Sequence, residues 1–373
     1  MYKRQQLTWA VCQIELGNWR DASQTLSRIA VENPSYPRAD QATYYAGWAA
    51  QSRGEDDAAL QYFTRVADEY PESPLVAESS FHVGDMAYDR KAFDEALDRF
   101  QTAYDKASDD SVREKSAHKL GWTNFQLGNY EPARANFSVQ VTDYPNGEFV
   151  ADGKFMMAEC LVKTGGLQEA AEVYESLRGN KSLKPEAMEL VCLHAGQTHN
   201  RLENYKEALG WLKMFAEEYS DSPRVATAAY EAGLAFRALG EYDQAVKSLS
   251  AAARKDDGEL GARARYYLGN VYASKNELGR ALREYQSVMY GYGGENASPA
   301  IRKWQAKAGF EAGENASLLA QSPTRNDRDQ WMVRARKFYR FVVDQHGDTP
   351  TALEAGARLE RIASLADPGT IRR

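Results

Sequence analysis

The sequence is poor in the residues from which enzymes build active sites. Its 373 residues include only three cysteines and five histidines. The patterns HExxH, CxxC and GxSxG and the P-loop glycine run, which mark metal, redox, hydrolase and nucleotide sites, do not occur. The sequence therefore predicts a protein that is not an enzyme, with no catalytic residue, no metal ion and no cofactor.

Long apolar runs are also missing. No stretch of 18 apolar residues occurs, so no transmembrane segment is predicted. No signal peptide follows Met1, and a repeat is already under way at Leu7. We expect from this that the N-terminus is truncated. Membrane association would then depend on a missing N-terminal signal or lipid anchor.

Positive charge is not concentrated anywhere in the chain. Lys and Arg number 46 against 53 Asp and Glu, which gives a net charge of −7. The two signs are interspersed, as is typical of a solvated surface. Because nucleic-acid binding requires a basic patch, we expect no nucleic acid among the partners.

What the sequence has instead is a repeat. Eight times an alanine lies twelve residues after a glycine or alanine, and these alanines recur at a nearly constant interval. Self-similarity at a period of about 37 residues predicts a solenoid of stacked units. The alanines are Ala22, Ala59, Ala96, Ala133, Ala170, Ala208, Ala245 and Ala281. The small residues before them are Ala10, Gly47, Gly84, Gly121, Ala158, Gly196, Gly233 and Gly269.

Residues 114–150 illustrate one unit. Apolar residues recur at helical spacing around Gly121, and the Leu-Gly-Asn sequence at 127–129 ends this first helix. A second apolar stripe surrounds Ala133 and stops at the turn sequence 144–147. Each unit is therefore predicted to be a hairpin of two helices, which approach closely at Gly121 and Ala133.

The turn inside each hairpin usually carries a residue that tolerates the left-handed conformation. These residues are Gly17, Gly54, Gly128, Gly165, Gly240 and Asn276. Lys91 and Glu203 occupy the same position in two repeats, and we expect those two turns to close differently.

The first helices are also expected to have recognisable starts. Ser73, Ser222 and Thr349 each precede a proline. A hydroxyl residue followed by proline is typical of a helix N-cap and first helical position, and we predict that role for all three.

The pattern resembles the tetratricopeptide repeat over residues 3–290. The residues that carry the match are Gly121, Tyr130, Ala133, Phe137 and Pro145 and their equivalents. The period exceeds the family's usual length of about 34 residues, because the inter-repeat loops such as 70–74 and 219–223 are longer. The tyrosine- and proline-containing style of these loops resembles the bacterial cell-envelope branch. That branch includes the division coordinator of the Tol–Pal system and a lipoprotein of the outer-membrane assembly machine.

The resemblance implies an all-α fold. We expect a right-handed superhelical solenoid of about nine hairpins, closed by a C-terminal capping helix. Eight regular repeats are assigned to 3–290 and a divergent ninth repeat to 291–349. The capping helix is assigned to 350–366 and a frayed tail to 367–373.

The ninth repeat is predicted to contain an insertion. We assign its small residue to Gly309 and its alanine to Ala335, which lies more than twice the usual distance further along the chain. On that register an insertion of about 14 residues separates the two helices, near 317–329. We interpret it as a tolerated surface loop, and the alternative is a binding loop.

Two of the three cysteines are interpreted as structural. Cys12 and Cys160 lie two residues after the small residue of their repeats, where other repeats carry small or medium core residues. Both are therefore predicted to be packing residues. Cys192 lies on the next first helix after Cys160, so a disulfide between the two is possible, although the sequence does not indicate one.

The resemblance places the first helix of each hairpin along the concave groove of the solenoid. Directly after the small residue, four successive repeats carry Trp48, Asp85, Trp122 and Glu159. Exposed aromatic rings beside carboxylates would anchor a peptide with apolar and basic side chains. The alternative is that each Trp lies across its own helix, and the sequence leaves both interpretations open.

The candidate groove also includes neighbouring positions and the arginines of later repeats. The predicted partner-binding residues are Trp48, Asp85, Tyr88, Trp122, Phe125, Glu159, Arg201 and Arg237. A further position, three residues before the small residue, is large in almost every repeat and is interpreted as core.

These features predict a protein–protein interaction scaffold. It would capture a protein or peptide partner in its groove, in the bacterial cell envelope or periplasm. The alternative is a cytoplasmic regulatory or sensor arm of a larger protein whose effector domain is absent here. The sequence names neither the partner nor the oligomeric state.

Overall fold

The computed structural model describes residues 2–32, 35–321 and 327–366. Within these ranges the regular elements are nineteen α-helices and one short 3₁₀ helix, with no β-strand. The prediction of an all-α chain of helical hairpins is confirmed. The chain divides into two compact units, Met1–Lys184 and Pro185–Arg373.

The N-terminal unit contains five hairpins, in which each helix packs against the next one along the chain. Its first helices are α1 (Tyr2–Glu15), α3 (Ala39–Ser52), α5 (Val76–Asp89), α7 (Asp110–Gln126) and α9 (Val150–Thr164). Its second helices are α2 (Trp19–Glu32), α4 (Asp56–Glu69), α6 (Phe93–Lys106), α8 (Tyr130–Asp143) and α10 (Leu167–Ser176).

The C-terminal unit contains four hairpins and a last helix. Its first helices are α11 (Pro185–Arg201), α13 (Val225–Ala238), α15 (Glu259–Ser274) and α17 (Pro299–Gln321). Its second helices are α12 (Tyr205–Glu218), α14 (Tyr242–Lys255), α16 (Leu278–Gly291) and α18 (Arg328–Gln345). The 3₁₀ helix Gly294–Asn296 follows α16, and α19 (Pro350–Ala366) ends the unit by packing on α18.

One contact holds most of the regular hairpins together. It joins the small residue of the first helix to a large side chain that lies one turn after the repeat alanine on the second helix. The same pairing occurs at Gly47–Phe63, Gly84–Phe100, Gly121–Phe137, Gly196–Leu212, Gly233–Leu249 and Gly269–Tyr285. The eight repeat alanines are completely buried. The glycine therefore makes room for a ring or a leucine, and the helices cross where the sequence pattern predicts.

The turns at Lys91 and Glu203 close in the same way as the glycine turns, so the expectation that they differ was wrong. Their φ angles are 62° and 61°, compared with 78° at Gly128. The amide of Lys91 donates to the carbonyl of Tyr88 at 2.9 Å, as the amide of Gly128 does to Phe125 at 3.0 Å. Packing of the two helices fixes the turn, and these side chains accept a conformation that L-residues disfavour by about 1–2 kcal/mol.

The serines before Pro74 and Pro223 are not N-caps, which corrects the prediction. Helix α5 begins at Val76 and α13 at Val225, two residues beyond each proline. Ser73 Oγ accepts from the amide of Leu75 at 3.2 Å, so the serine closes a turn ahead of the helix. Thr349 does lie directly before α19, but its hydroxyl donates backwards to the carbonyl of His346 at 2.7 Å.

These serines tie one first helix to the loop before the next. Ser73 donates to Asp40 of α3 at 2.6 Å, and Ser222 donates to Glu189 of α11 at 2.6 Å. Both links span 33 residues of sequence. The hydrogen bond from Ser222, aided by Arg224, lowers the pKa of Glu189 below its ordinary range. Two of the long inter-repeat loops are thus held to the previous repeat by a hydroxyl–carboxylate pair.

The ninth hairpin pairs its helices at Gly313 rather than at Gly309. A Cβ on Gly313 would lie 2.4 Å from the ring of Tyr339, as in the regular repeats, whereas Gly309 faces Val342 and Phe341. Because Gly313 lies one turn closer to Ala335 than Gly309 does, the inserted segment is one turn shorter than predicted. Residues 322–326 of the predicted insertion lie outside the described residues.

The packing role predicted for Cys12 was wrong, although Cys160 and Cys192 are buried. In most later repeats the equivalent position is buried, as at Ala49 and Ala235. Helix α1 is the first helix described, and Cys12 is exposed on it. The three cysteines are free thiols.

Candidate binding surface

The exposed side of the first helices in the N-terminal unit carries four of the predicted binding residues in sequence order. We call the side chains of α3, α5, α7 and α9 that lie there the first-helix strip. It consists of Trp48, His82, Asp85, Tyr88, Lys119, Trp122 and Asp152. Contacts between neighbouring first helices connect its members.

Trp48 begins the strip and is its most exposed aromatic residue, at 40% of its surface. Its indole Nε1 donates to the Tyr44 hydroxyl at 3.1 Å, which lies one turn earlier on α3. The ring meets the imidazole of His82 on α5 edge-on, with centroids 6.2 Å apart. The indole is therefore held in one orientation while much of its surface faces solvent.

His82 fills the space between Trp48 and the interior. It stacks on Phe63 with centroids 4.4 Å apart and planes 13° apart. Burial lowers the pKa of His82, and the nearby carboxylate of Asp85 opposes this only in part. The ring is accordingly neutral at neutral pH and acts as an aromatic filler.

Asp85 lies in the middle of the strip and forms an ion pair with Lys119 of α7. The same ammonium group lies 5.4 Å from the ring centroid of Tyr88. Lys119 was not among the predicted site residues. It lies two residues before Gly121, a repeat position at which the sequence predicts no binding residue. Its approach to Asp85 depends on how neighbouring hairpins stack.

Trp122 is more enclosed than Trp48. Its Nε1–H is shared between His118 Nε2 at 3.1 Å and Asp152 Oδ2 of α9 at 3.2 Å. Its ring also meets Phe137 and Phe125 edge-on. The indole therefore contributes to stacking of α7 on α9 as well as to the surface.

His118 anchors this part of the strip from below. Its Nδ1 lies 3.1 Å from Gln140 Oε1, and its ring stacks on Phe149 at 4.6 Å. Because Nε2 accepts from Trp122, the proton resides on Nδ1 and is donated to Gln140. Burial lowers the pKa of His118 despite the neighbouring Asp152.

Two of the predicted residues lie beside the strip and have other contacts. Phe125 packs edge-on against Tyr130 in its own hairpin, with centroids 5.4 Å apart. Glu159 accepts a hydrogen bond from the hydroxyl of Tyr174, and the carboxylate raises the tyrosine pKa beyond the effect of burial. Glu159 is therefore engaged inside its hairpin.

The remaining two predicted residues belong to the C-terminal unit. Arg201 is exposed at the end of α11. Arg237 is half-buried, and its guanidinium carbon lies 5.1 Å from the ring centroid of Tyr267. On the same two helices, Asn200 of α11 donates to Glu231 of α13 at 2.9 Å, so first helices are also cross-linked in this unit.

The position three residues before the small residue is core, as interpreted from the sequence. Six of its eight occupants are buried, and Phe81 and Tyr266 are half-buried. The six are Leu7, Tyr44, His118, Phe155, Leu193 and Tyr230. Residues at this position lie beneath the strip and contact it: Tyr44 accepts a hydrogen bond from Trp48, and His118 accepts one from Trp122.

Among the described residues no group of three or more His, Cys, Asp or Glu side chains could hold a metal ion. No helix in the same part of the chain combines the length and the apolar character that crossing a membrane requires. The strip presents aromatic and charged side chains.

The Tetratricopeptide repeat family model matches residues 7–74 and 230–299. One matched segment lies in each of the two units. The repeats within these two segments therefore match the tetratricopeptide repeat. A search of the curated proteins found no match.

Three solved structures to which the chain is similar are compared by TM-score, identity and coverage. The C-terminal part of a TPR repeat-containing protein from Cytophaga hutchinsonii aligns with a TM-score of 0.52 at 14% identity, covering 74% of this chain and 98% of that one. YrrB, a TPR protein with an unusual peptide-binding site, aligns with a TM-score of 0.45 at 18% identity, covering 58% and 99%. MamA, from residue 41 to its end, from Desulfovibrio magneticus RS-1 gives 0.41 at 20% identity, covering 49% and 96%. The first of these likenesses supports the fold.

Proposed function

We propose that this tetratricopeptide-repeat protein is a non-catalytic scaffold that captures an extended peptide on its first-helix strip. The observation that carries the proposal is the exposed indole of Trp48, held in one orientation at the start of a connected row of aromatic and charged groups. A preorganised tryptophan is the kind of residue that dominates binding energy at protein interfaces.

The orientation of Trp48 favours binding because little freedom is lost when a ligand covers it. The hydrogen bond to Tyr44 fixes the indole, and His82 supports its edge. An apolar side chain placed on the exposed face would bury aromatic surface at low entropic cost.

The charges beside Trp48 favour a ligand with a basic side chain. Asp85 keeps 37% of its side chain exposed although it pairs with Lys119. Asp152 is likewise partly exposed beside Trp122. A lysine or arginine two or three residues from the apolar anchor would reach these carboxylates, which sets the direction of the peptide.

The proposed place of action is the bacterial cell envelope, on the basis of the loop style of the repeats. The alternative is a cytoplasmic arm of a larger protein. Release of the native protein by osmotic shock, detected with an antibody against the repeats, would support the envelope. Retention with cytoplasmic markers would support the alternative.

The binding proposal is tested with peptides selected by display on the intact chain. Their affinities are then measured for the unchanged protein, for Trp48→Ala and for the matched control Trp9→Ala. Trp9 is exposed to a similar extent, 46%, but precedes the small residue and lies off the strip. We expect Trp48→Ala to weaken binding by about tenfold or more, and Trp9→Ala by less than about twofold.

The peptides should also share an apolar residue near a basic one. Selected peptides whose affinity is the same for Trp48→Ala and for the unchanged protein would contradict a role for the strip. Failure of the chain to select any peptide would contradict the scaffold function as a whole.

A further inference from the structure

A second candidate binding surface lies in the C-terminal unit, on second helices rather than first helices. The second helices α16 and α18 enclose an open cavity of about 590 Å³. We call it the second-helix groove. Its lining includes Leu282, Arg283, Tyr290, Trp331, Arg334, Lys337 and Phe338. None of the predicted binding residues belongs to it.

The rim of the second-helix groove is positively charged. Arg283, Arg334 and Lys337 are all exposed. In the described ranges of the chain, none of these three forms an ion pair with Asp or Glu. The neighbouring acid Glu284 is turned to Arg265, which it meets at 3.0 Å. In this part of the chain three cations thus converge without a paired carboxylate, in a protein whose net charge is −7.

The floor and one wall of the groove are apolar and aromatic. Leu282 and Phe338 form the floor and are each 6% exposed. Tyr290 stands at the edge with 61% of its surface exposed, although its ring meets Phe341 edge-on. An apolar side chain could therefore enter the groove and cover surface that now faces solvent.

One of the cations is held in place by an aromatic ring. The guanidinium carbon of Arg334 lies 4.5 Å from the ring centroid of Trp331. The Trp331 Nε1 donates to Asp327 Oδ2 at 2.8 Å, which fixes the indole one turn into α18. Arg334 therefore presents its N–H groups from a supported plane, as suits a carboxylate ligand.

We propose that the second-helix groove binds an acidic segment of a partner protein that carries an aromatic or large apolar side chain. The carboxylates would meet Arg283, Arg334 and Lys337, and the apolar side chain would occupy the floor at Leu282 and Phe338. Charge complementarity carries the assignment, because the cations pair with no carboxylate among the described residues. A small inorganic anion would leave the exposed ring of Tyr290 uncovered. A long polyanion such as nucleic acid would extend beyond the three cations onto the rest of a protein whose net charge is −7.

The test uses three fluorescein-labelled synthetic peptides of equal length and the intact chain. One peptide contains Asp and Glu around a central Phe, the second has Ala in place of Phe, and the third has Lys in place of the acids. Fluorescence anisotropy gives the dissociation constants. We expect the acidic Phe peptide to bind most tightly, the Ala peptide about fivefold or more weakly, and the Lys peptide not detectably.

Charge reversal then locates the site. The double variant Arg334→Glu with Lys337→Glu should weaken binding of the acidic Phe peptide by about tenfold or more. Its matched control is Lys213→Glu with Lys247→Glu, which changes the net charge equally at exposed lysines of α12 and α14. The control should bind within about twofold of the unchanged protein. Trp48→Ala should also bind normally, which separates this groove from the first-helix strip.

Four results would overturn the proposal. The first is that the acidic Phe peptide does not bind. The second is that the double variant and the unchanged protein bind this peptide equally well. The third is full displacement of the peptide by inorganic phosphate at millimolar concentration, which would indicate a small-anion site. The fourth is a dimer in sedimentation equilibrium that the double variant dissociates, because a second copy of the chain would then occupy the groove.

Discussion

The ring of Phe137 lies so close to Gly121 that a Cβ on the glycine would approach it to 2.6 Å. Two carbon atoms in van der Waals contact lie about 3.5–4.0 Å apart. Both residues are buried, so the ring has no solvent into which it could move. The crossing of α7 and α8 thus admits glycine and no larger residue.

Gly121→Leu should destabilise the protein by about 2 kcal/mol or more, because overpacking at this crossing separates the two helices. The matched control is Gly210→Ala on α12, where a Cβ would meet nothing within 4 Å. That change should be neutral or stabilise by up to about 1 kcal/mol, since alanine favours the helix. Thermal and urea unfolding measure both. Equal stability of Gly121→Leu and the unchanged protein would contradict the described crossing.

Removal of the two tryptophans of the strip should have unequal effects on stability. Trp48→Ala should cost less than about 1 kcal/mol, because the indole is largely a surface group. Trp122→Ala should cost about 2–3 kcal/mol, because it leaves a gap against Phe137 and removes the hydrogen bonds to His118 and Asp152. Urea unfolding of each single variant provides the comparison. A larger cost at Trp48 than at Trp122 would show that their burial is reversed.

The turns at Lys91 and Glu203 should be improved by glycine. Lys91→Gly and Glu203→Gly should each stabilise the protein by about 0.5–1 kcal/mol, because relief of the left-handed strain exceeds the entropy that glycine loses on folding. The reciprocal control is Gly128→Lys, which should destabilise the protein by a similar amount. A Cβ at this position would meet no atom within 4 Å, so the backbone strain is the only cost. A loss of stability in the glycine variants would show that these side chains make contacts that outweigh the strain.

Stability should decrease on mild acidification. Burial lowers the pKa of His82, His118 and His346 from the ordinary value near 6.5. The unfolded chain therefore binds protons at these positions before the folded chain does. Stability is full above about pH 6.5 and falls as the pH drops below that value. Melting temperatures at about pH 7.5 and 5.5 should differ in that direction.

The contribution of a single histidine can be isolated at the stacked position. His82→Phe keeps a ring on Phe63 but cannot take up a proton, so the decrease on acidification should become smaller. An unchanged decrease would assign the pH dependence to other groups.

The link between Ser222 and Glu189 should be visible in the titration of the carboxylate. Ser222→Ala removes the donor that contributes most to the lowered pKa of Glu189, so that pKa should rise and can be followed by NMR. The variant should also lose about 1 kcal/mol of stability at neutral pH. Because the pKa of Glu189 is lowered in the folded state, its carboxylate stabilises the fold at pH values above the ordinary pKa of Glu. This stabilisation is lost as the pH falls below that value. The effect of the substitution should therefore shrink as the pH falls. A constant effect would place the role of Ser222 in the turn alone.

The repeat architecture was predictable because one physical requirement recurs in the eight regular hairpins. Each has a glycine or alanine at the crossing and a fully buried alanine twelve residues later. The errors arose where a neighbour decides the outcome. Lys91 takes a left-handed conformation because the two helices impose it, and Ser73 turns to Asp40 because the preceding repeat supplies an acceptor. The conformational preference of a single residue type does not reveal which neighbour it will contact in the fold.

The candidate strip was predictable only in part for the same reason. Trp48 and Trp122 were identified by their column, but their different burial depends on His82 and Asp152, which come from the next repeat. Lys119 was missed because its importance rests on Asp85, 34 residues earlier. The second-helix groove gave no signal, since its cations are far apart in sequence and meet only when α16 packs near α18.

The hydroxyl–carboxylate links of 33 residues have a consequence for how the protein folds. Each link joins a repeat only to the one before it. The chain segment that must close to form a link therefore has the same length however many repeats the chain has. Folding can accordingly begin at any hairpin and spread in both directions, with a low contact order. The same property allows whole repeats to be gained or lost in evolution, because each repeat packs mainly against its neighbours along the chain.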